Sequence, residues 1–124
     1  VPLESSITNS ILGYLNSLPY CRAEKVKGSS SSSGRADVNA CYKGRCIRIE
    51  VKTPDHKNKA SAKQEHNLEK WSNAGAVIMV AYSRSSVEKL IYHLDHKDVV
   101  NFTTLYLYER NGCISWFTIP KVRQ

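Results

Sequence analysis

Arg45-Cys46-Ile47-Arg48-Ile49-Glu50-Val51-Lys52-Thr53 alternates between two characters. Ile47, Ile49 and Val51 fall on one side of an extended chain, and Arg48, Glu50 and Lys52 fall on the other. This is the period of a strand that buries one face. The charged face is the unusual one, and it directs the search for chemistry. Upstream, Lys43-Gly44 separates this strand from Arg35 to Tyr42, so the two are expected to form a hairpin. Downstream, Ser61 and Gln64 form a Ser-x-x-Gln capping box that opens a helix, and Gly75 stops it. Ala76 to Tyr82 is a nearly unbroken apolar run, as expected of a strand covered on both faces. Strand, helix and strand in this order predict a right-handed crossover, with residues 76–82 parallel to residues 45–53 in one sheet.

Working outward, Ile7, Ile11, Tyr14, Leu15 and Leu18 form one apolar stripe on a helix over about residues 3–17, which ends before Pro19. Glu4 falls on the buried side of that helix, in its first turn. Tyr20 to Val26 reads as a short strand. Gly28 to Gly34 contains five consecutive serines and has no side chains with which to build core, so it reads as a loop joining two strands. Ser85-x-x-Glu88 is expected to cap a third helix carrying Val87, Leu90, Ile91 and Leu94. Thr103 to Tyr108 and Cys113 to Ile119 flank Asn111-Gly112, a strong hairpin signal. Leu105, Leu107, Ile114, Trp116 and Phe117 give that hairpin more apolar surface than an isolated two-stranded ribbon hides. It is expected either to join two copies of the chain or to cover the edge of its own sheet.

The chain has 124 residues, 41% of them apolar and 23% charged, which is the size and balance of one globular domain. Its net charge of +7 is concentrated in residues 21–75, where twelve Lys and Arg stand against six Asp and Glu. A folded segment this basic suits a polyanionic partner, with nucleic acid ahead of anionic membrane. No apolar stretch approaches the roughly 18 to 20 residues that span a bilayer. Val1-Pro2-Leu3-Glu4 lacks the basic and apolar regions of an export signal, so the expected location is the cytoplasm, or the host cytoplasm for a phage-encoded chain. Cys21, Cys41, Cys46 and Cys113 contain no CxxC spacing and are expected to be reduced packing residues. His93 and His96 follow the stripe of the third helix and read as surface residues favoured near a helix C-terminus.

The candidate chemistry lies in Asp37, Glu50, Val51 and Lys52, with Glu4 and Gln64 as outer members. Asp37 starts one strand of the expected hairpin and Glu50 ends the other, which brings two carboxylates together as a hard-oxygen site for Mg²⁺ or Mn²⁺. Lys52 follows Glu50 by two and shares its face, where an ammonium can orient a water and offset charge on a phosphoryl group. Two carboxylates, a lysine and a metal are the parts needed to hydrolyse a phosphodiester. Gln64, Leu68 and Trp71 fall at i, i+4 and i+7, so Gln64 can point inward as well as complete the cap. Arg35, Lys43, Arg45, Lys57, Lys59 and Lys63 flank these residues in sequence and are the candidate phosphate-contacting, DNA-binding set.

The ordered segments Gly34-Arg35-Ala36-Asp37-Val38, Lys43-Gly44-Arg45, Ile49-Glu50-Val51-Lys52-Thr53-Pro54, Ser61-x-x-Gln64 and Ala74-Gly75-Ala76 resemble the VRR-NUC family of the PD-(D/E)xK nuclease superfamily. The resemblance covers about residues 3–92 and is firmest over 34–83, with Ala36 where the superfamily name has Pro. It implies an α/β, restriction endonuclease-like domain: a mixed central sheet flanked by helices, with residues 93–124 as a C-terminal extension carrying the hairpin. It further implies that Asp37, Glu50 and the Val51 carbonyl ligate Mg²⁺ or Mn²⁺, that Lys52 assists catalysis and that Gln64 supports the site. By similarity to Holliday junction resolvases, Glu4 becomes a further metal contact. The implied activity is a metal-dependent DNA endonuclease acting on branched DNA as a homodimer. A site-specific homing or restriction-type endonuclease, and a non-catalytic DNA-binding module of the same fold, stand as alternatives.

Overall fold

The computed structural model describes residues 3–27, 35–54, 60–96 and 103–120. The serine-rich segment 28–34 and the candidate DNA contacts Lys57 and Lys59 lie outside the described residues. In chain order the elements are α1 (Glu4–Ser17), β1 (Cys21–Lys25), β2 (Val38–Tyr42), β3 (Arg45–Val51), α2 (Ala62–Asn73), β4 (Val77–Ala81), α3 (Arg84–Asp95), β5 (Thr103–Tyr108) and β6 (Ile114–Ile119). The strands form one mixed sheet in the order β1-β2-β3-β4-β6-β5. Strands β3 and β4 are parallel, with Ile49 opposite Met79, and the remaining neighbours are antiparallel. The α/β architecture expected from the sequence is therefore present.

Alternation along each strand divides the sheet into two unequal faces. Ile47, Ile49, Val51, Val77, Met79, Ala81 and Phe117 point to the face covered by α1 and α3, where Ile11, Leu15, Val87 and Leu90 close a large apolar core. The opposite face, beneath α2, holds a smaller apolar cluster of Ala36, Leu68, Ile78, Val80, Tyr82 and Cys113. Helix α2 packs mainly on β4 and to a lesser extent on β3. Polar side chains from β2 and β3 share that face, because they occupy the alternate positions of strands whose other side is entirely apolar.

The β2–β3 turn places Lys43 at φ 49° and Gly44 at φ 84°, the paired left-handed conformation of a two-residue hairpin. Asn111 and Gly112 are also left-handed, at φ 62° and 73°, but within a longer connection in which the 3-10 turn Arg110–Gly112 joins β5 to β6. Two expectations need correction, the one for the cap of the third helix and the one for Cys41 as a packing residue. Helix α3 is capped by Ser83, whose hydroxyl accepts from Ser86 N–H, and not by Ser85. Ser83 sits in extended backbone just before the first helical residue, where a cap must be, while Glu88 pairs with Arg84 one turn earlier at 3.3 Å. The C-terminal hairpin extends the sheet beyond β4, so Phe117 is fully buried in the main core with Leu105 and Leu107 packed against it. The apolar surplus expected of it is mostly consumed inside its own fold, leaving Tyr106, Tyr108 and Ile114 exposed on the α2 face. All four cysteines are free, and Cys41 is exposed because it points away from the core side of β2.

Candidate active site

The site forms where β3 outruns β2. The ladder between them ends at Val38 opposite Ile49, so Glu50 and Val51 extend past the start of β2 with one edge open. Asp37, the residue just before β2, fills that edge: its Oδ2 accepts the Val51 N–H at 2.8 Å. Lys52 N–H donates to Ala81 O at 2.8 Å on the β4 side. Across a trans peptide the Val51 carbonyl then points the opposite way, toward Asp37. Asp37 and Glu50 are cross-strand neighbours on the α2 face, and the Val51 carbonyl joins them from the strand edge.

Glu50 is 2% exposed. Its Oε1 accepts from Gln64 Nε2 at 2.8 Å and lies 3.7 Å from Lys52 Nζ, whereas Oε2 is buried with no hydrogen-bond donor among the described residues. Burial pushes the Glu50 carboxyl up to about 9, and the adjacent Asp37 and the charge of Glu4 add to the rise while Lys52 opposes it. A carboxyl pair in this condition retains a proton at neutral pH.

Gln64 does two things with its two amide ends. Its Oε1 accepts the Ser61 N–H at 2.9 Å to complete the capping box, and its Nε2 reaches Glu50. The N-terminus of α2 and the end of β3 are thereby tied together through one side chain. Glu4 is exposed in the first turn of α1, not buried as its place on the helical stripe suggested. Its carboxyl is nevertheless raised, first by partial burial and then by Asp37, with Lys52 and Lys25 acting against the rise, so α1 begins beside the site.

Among the described residues no three His, Cys, Asp or Glu side chains are grouped closely enough to hold a metal ion. Glu4 is therefore not brought into a three-carboxylate ligand set with Asp37 and Glu50. What fits a divalent cation is the smaller donor set of Asp37, Glu50 and the Val51 carbonyl. Glu50 Oε2 is an orphaned buried oxygen in a carboxyl pair short of positive charge, the condition that a hard cation relieves. His93 packs on Phe117 and His96 stacks on Tyr92, away from this set.

The candidate DNA contacts divide. Lys63 is exposed in the first turn of α2 beside Gln64, and Arg35 is exposed two residues before Asp37. Lys43 and Arg45 stand at the other end of β3, about 17 Å from Glu50 at strand rise. There Lys43 pairs with Asp95 at 3.0 Å and Arg45 donates to the Pro120 carbonyl at 3.1 Å, so the structure does not bring either to the carboxylates. Sequence reading passed over Lys25, Asn39, Arg48 and Asn67, which share the site's surroundings. Arg48 had a signal, since it precedes Glu50 by two on the same polar face. On the far side of α2, a groove of about 520 Å³ is lined by Trp116, Tyr106, Glu65 and Glu69, whose acidic rim repels phosphate.

No family model and no curated protein matches the chain by sequence. Among solved structures, one described as a VRR_NUC domain matches with a TM-score of 0.57 at 24% identity, covering 73% of this chain and 95% of its own. That likeness is one of fold. It concerns the arrangement of sheet and helices alone.

Proposed function

We propose that this chain is a divalent-metal-dependent DNA endonuclease that hydrolyses phosphodiester bonds. The observation that carries the reading is the buried Asp37–Glu50 carboxyl pair with Lys52 at 3.7 Å and Gln64 at 2.8 Å from Glu50 Oε1. It occupies the open end of β3 in a fold like that of a VRR_NUC domain. A protein interior does not retain two adjacent carboxyls, one with an unpartnered oxygen, for stability, because burial and like charge both oppose it.

Asp37, Glu50 and the Val51 carbonyl would hold Mg²⁺ or Mn²⁺. Such an ion, when bound, supplies a nucleophile at neutral pH and offsets charge on the phosphoryl group. The chain's own residues do the rest. Asp37 fixes the Val51 peptide by accepting its N–H, which keeps the neighbouring carbonyl turned toward the carboxylates. Gln64 holds Glu50 in one rotamer from the rigid start of α2. Lys52 is largely shielded from solvent, so its ammonium interacts strongly with charge nearby and is placed to orient an attacking water and steady a phosphate oxygen. Arg35 and Lys63 border the site and provide phosphate contacts that position the backbone without reading sequence, and Lys57 and Lys59 belong to the same proposed set.

Branched DNA is the proposed substrate class, cut by a homodimer, because paired incision of a four-way junction needs two centres related by a twofold axis. Support for this finer reading comes from the sequence resemblance to junction-resolving nucleases and the basic central segment. The deciding experiment incubates labelled linear and four-way-junction DNA with the purified chain in Mn²⁺ or in EDTA, beside Glu50→Ala. Cleavage in Mn²⁺ alone that disappears in Glu50→Ala is the expected result. Binding without cleavage by the wild-type chain would instead assign a DNA-binding module.

A further inference from the structure

Two residues back along β3 from Glu50, and one turn along α2 from Gln64, a second cavity opens on the same face of the sheet. Its volume is about 210 Å³, and Arg35, Ala36, Asn39, Arg48, Asn67 and Trp71 line it. We propose that this cavity takes an unpaired nucleobase of the DNA strand held at the carboxylates, a reading that rests on the nuclease function proposed above.

The shape and chemistry favour a base. The cavity is smaller than the 300 to 1,000 Å³ or so typical of drug-sized ligands, and suits one planar ring system. The Arg48 guanidinium lies 4.2 Å from the centre of the Trp71 ring, and Trp71 remains 39% exposed. Aromatic rings and arginine planes are the platforms on which unstacked bases settle. Asn39 and Asn67 place amides around the cavity, and an amide both donates and accepts, matching the mixed edge of a base. A phosphate oxygen only accepts and gains nothing from an amide carbonyl or an indole face. Arg48 Nη1 donates to the Ile47 carbonyl at 3.1 Å, but Nε is shut off from solvent with no partner among the described residues. A base acceptor entering the cavity, with the guanidinium turning toward it, relieves that cost.

The location supports the same ligand. Two residues on a strand span about 7 Å, so the cavity adjoins the carboxyl pair along the path that Arg35 and Asp37 border. A strand with an extruded base next to the bond to be cut then has the base in the cavity and the backbone at Glu50. Branched or bulged DNA presents such a base at lower cost than intact duplex. The cavity thus supplies a selection for irregular DNA within one copy of the chain.

The test measures binding in EDTA, so that cleavage plays no part. The probes are a short duplex with one bulged 2-aminopurine and the same duplex with an abasic residue in the bulge. The wild-type chain is expected to bind the base-containing bulge about tenfold more tightly, with quenching of 2-aminopurine fluorescence. Arg48→Lys keeps the charge but loses the plane, and Asn67→Ala removes one amide from the half-buried face of α2. Each is expected to bring the ratio close to one while leaving affinity for the abasic duplex within about twofold. Equal wild-type affinity for the two probes, or a ratio that survives both substitutions, overturns the proposal. Glu50→Gln is expected to keep the ratio, which separates the two readings. Base selection without cleavage in Mn²⁺ removes the nuclease and leaves the cavity, whereas cleavage without base selection does the reverse.

Discussion

The two faces of β3 come from alternate residues of one seven-residue strand and are built on opposite terms. Ile47, Ile49 and Val51 are all fully buried in the main apolar core. On the other face Arg48 Nε and Glu50 Oε2 find no partner among the described residues, and both are shut off from solvent. The apolar face supplies stability that the polar face spends on holding charges in place, which is how strain at a site persists in a folded protein. Substitutions on the two faces should therefore act on different observables.

The largest expected effect is on turnover. Glu50→Ala and Asp37→Ala should each lower metal-dependent cleavage by on the order of 10³-fold or more, with DNA binding in EDTA near wild type. Lys52→Ala should lower cleavage similarly while metal affinity, followed by calorimetry, stays close to normal. Loss of DNA binding in parallel with cleavage would erase the distinction between catalytic and contact residues. One residue away on the opposite face, Ile49→Ala should cost about 2–5 kcal/mol in urea unfolding, because it opens a cavity in a close-packed core.

Next in size is the response of the metal-free protein to pH. Glu50 has its carboxyl at about 9 when folded, against an ordinary value of 4.5, so the folded state keeps a proton that the unfolded state has released. Stability should then fall as pH rises from about 4.5 to about 9 and level off above, with this group contributing most below its ordinary value. Glu50→Gln should flatten that slope and make the metal-free protein more stable, by roughly 1–3 kcal/mol at mildly alkaline pH. Added Mn²⁺ should raise the melting temperature of the wild type and leave Glu50→Gln nearly unmoved. A pH-independent melting temperature across this window would mean that Glu50 is not held neutral by its surroundings.

A finer contrast separates Gln64 from its capping partner. Ser61→Ala and Gln64→Ala both break the box and should each cost about 0.5–2 kcal/mol. Only Gln64→Ala also releases Glu50, so cleavage per folded molecule should fall in that variant and not in Ser61→Ala. The smallest effects belong to the far end of β3. Lys43→Ala and Arg45→Ala should leave cleavage and DNA affinity close to wild type, whereas Lys63→Ala should weaken binding to all DNA sequences about equally and reduce its salt dependence. A strong binding defect in Lys43→Ala would place DNA across the end of the sheet opposite the carboxylates.

Periodicity alone determined much of this molecule. Alternation through residues 45–53, the Ser61–Gln64 box and the apolar run at 76–82 are local patterns, each dictated by the geometry of its own element, and they were sufficient for the strand-helix-strand unit. The pairing of Asp37 with Glu50 was legible because a hairpin with a two-residue turn leaves little freedom of register. Tertiary structure decided the rest. Whether Gln64 caps its helix or reaches Glu50 depends on how α2 sits over β3, and an amide with two ends does both. The fate of the C-terminal hairpin depends on which sheet edge is free, and only the insertion of β6 beside β4 shows Phe117 committed to its own core. Lys43 and Arg45 are near Glu50 in sequence yet remote in space, because a strand carries its two ends apart at about 3.3 Å per residue. Arg48 and Trp71 meet for the opposite reason: residues far apart in the chain become neighbours when a helix lies on a sheet.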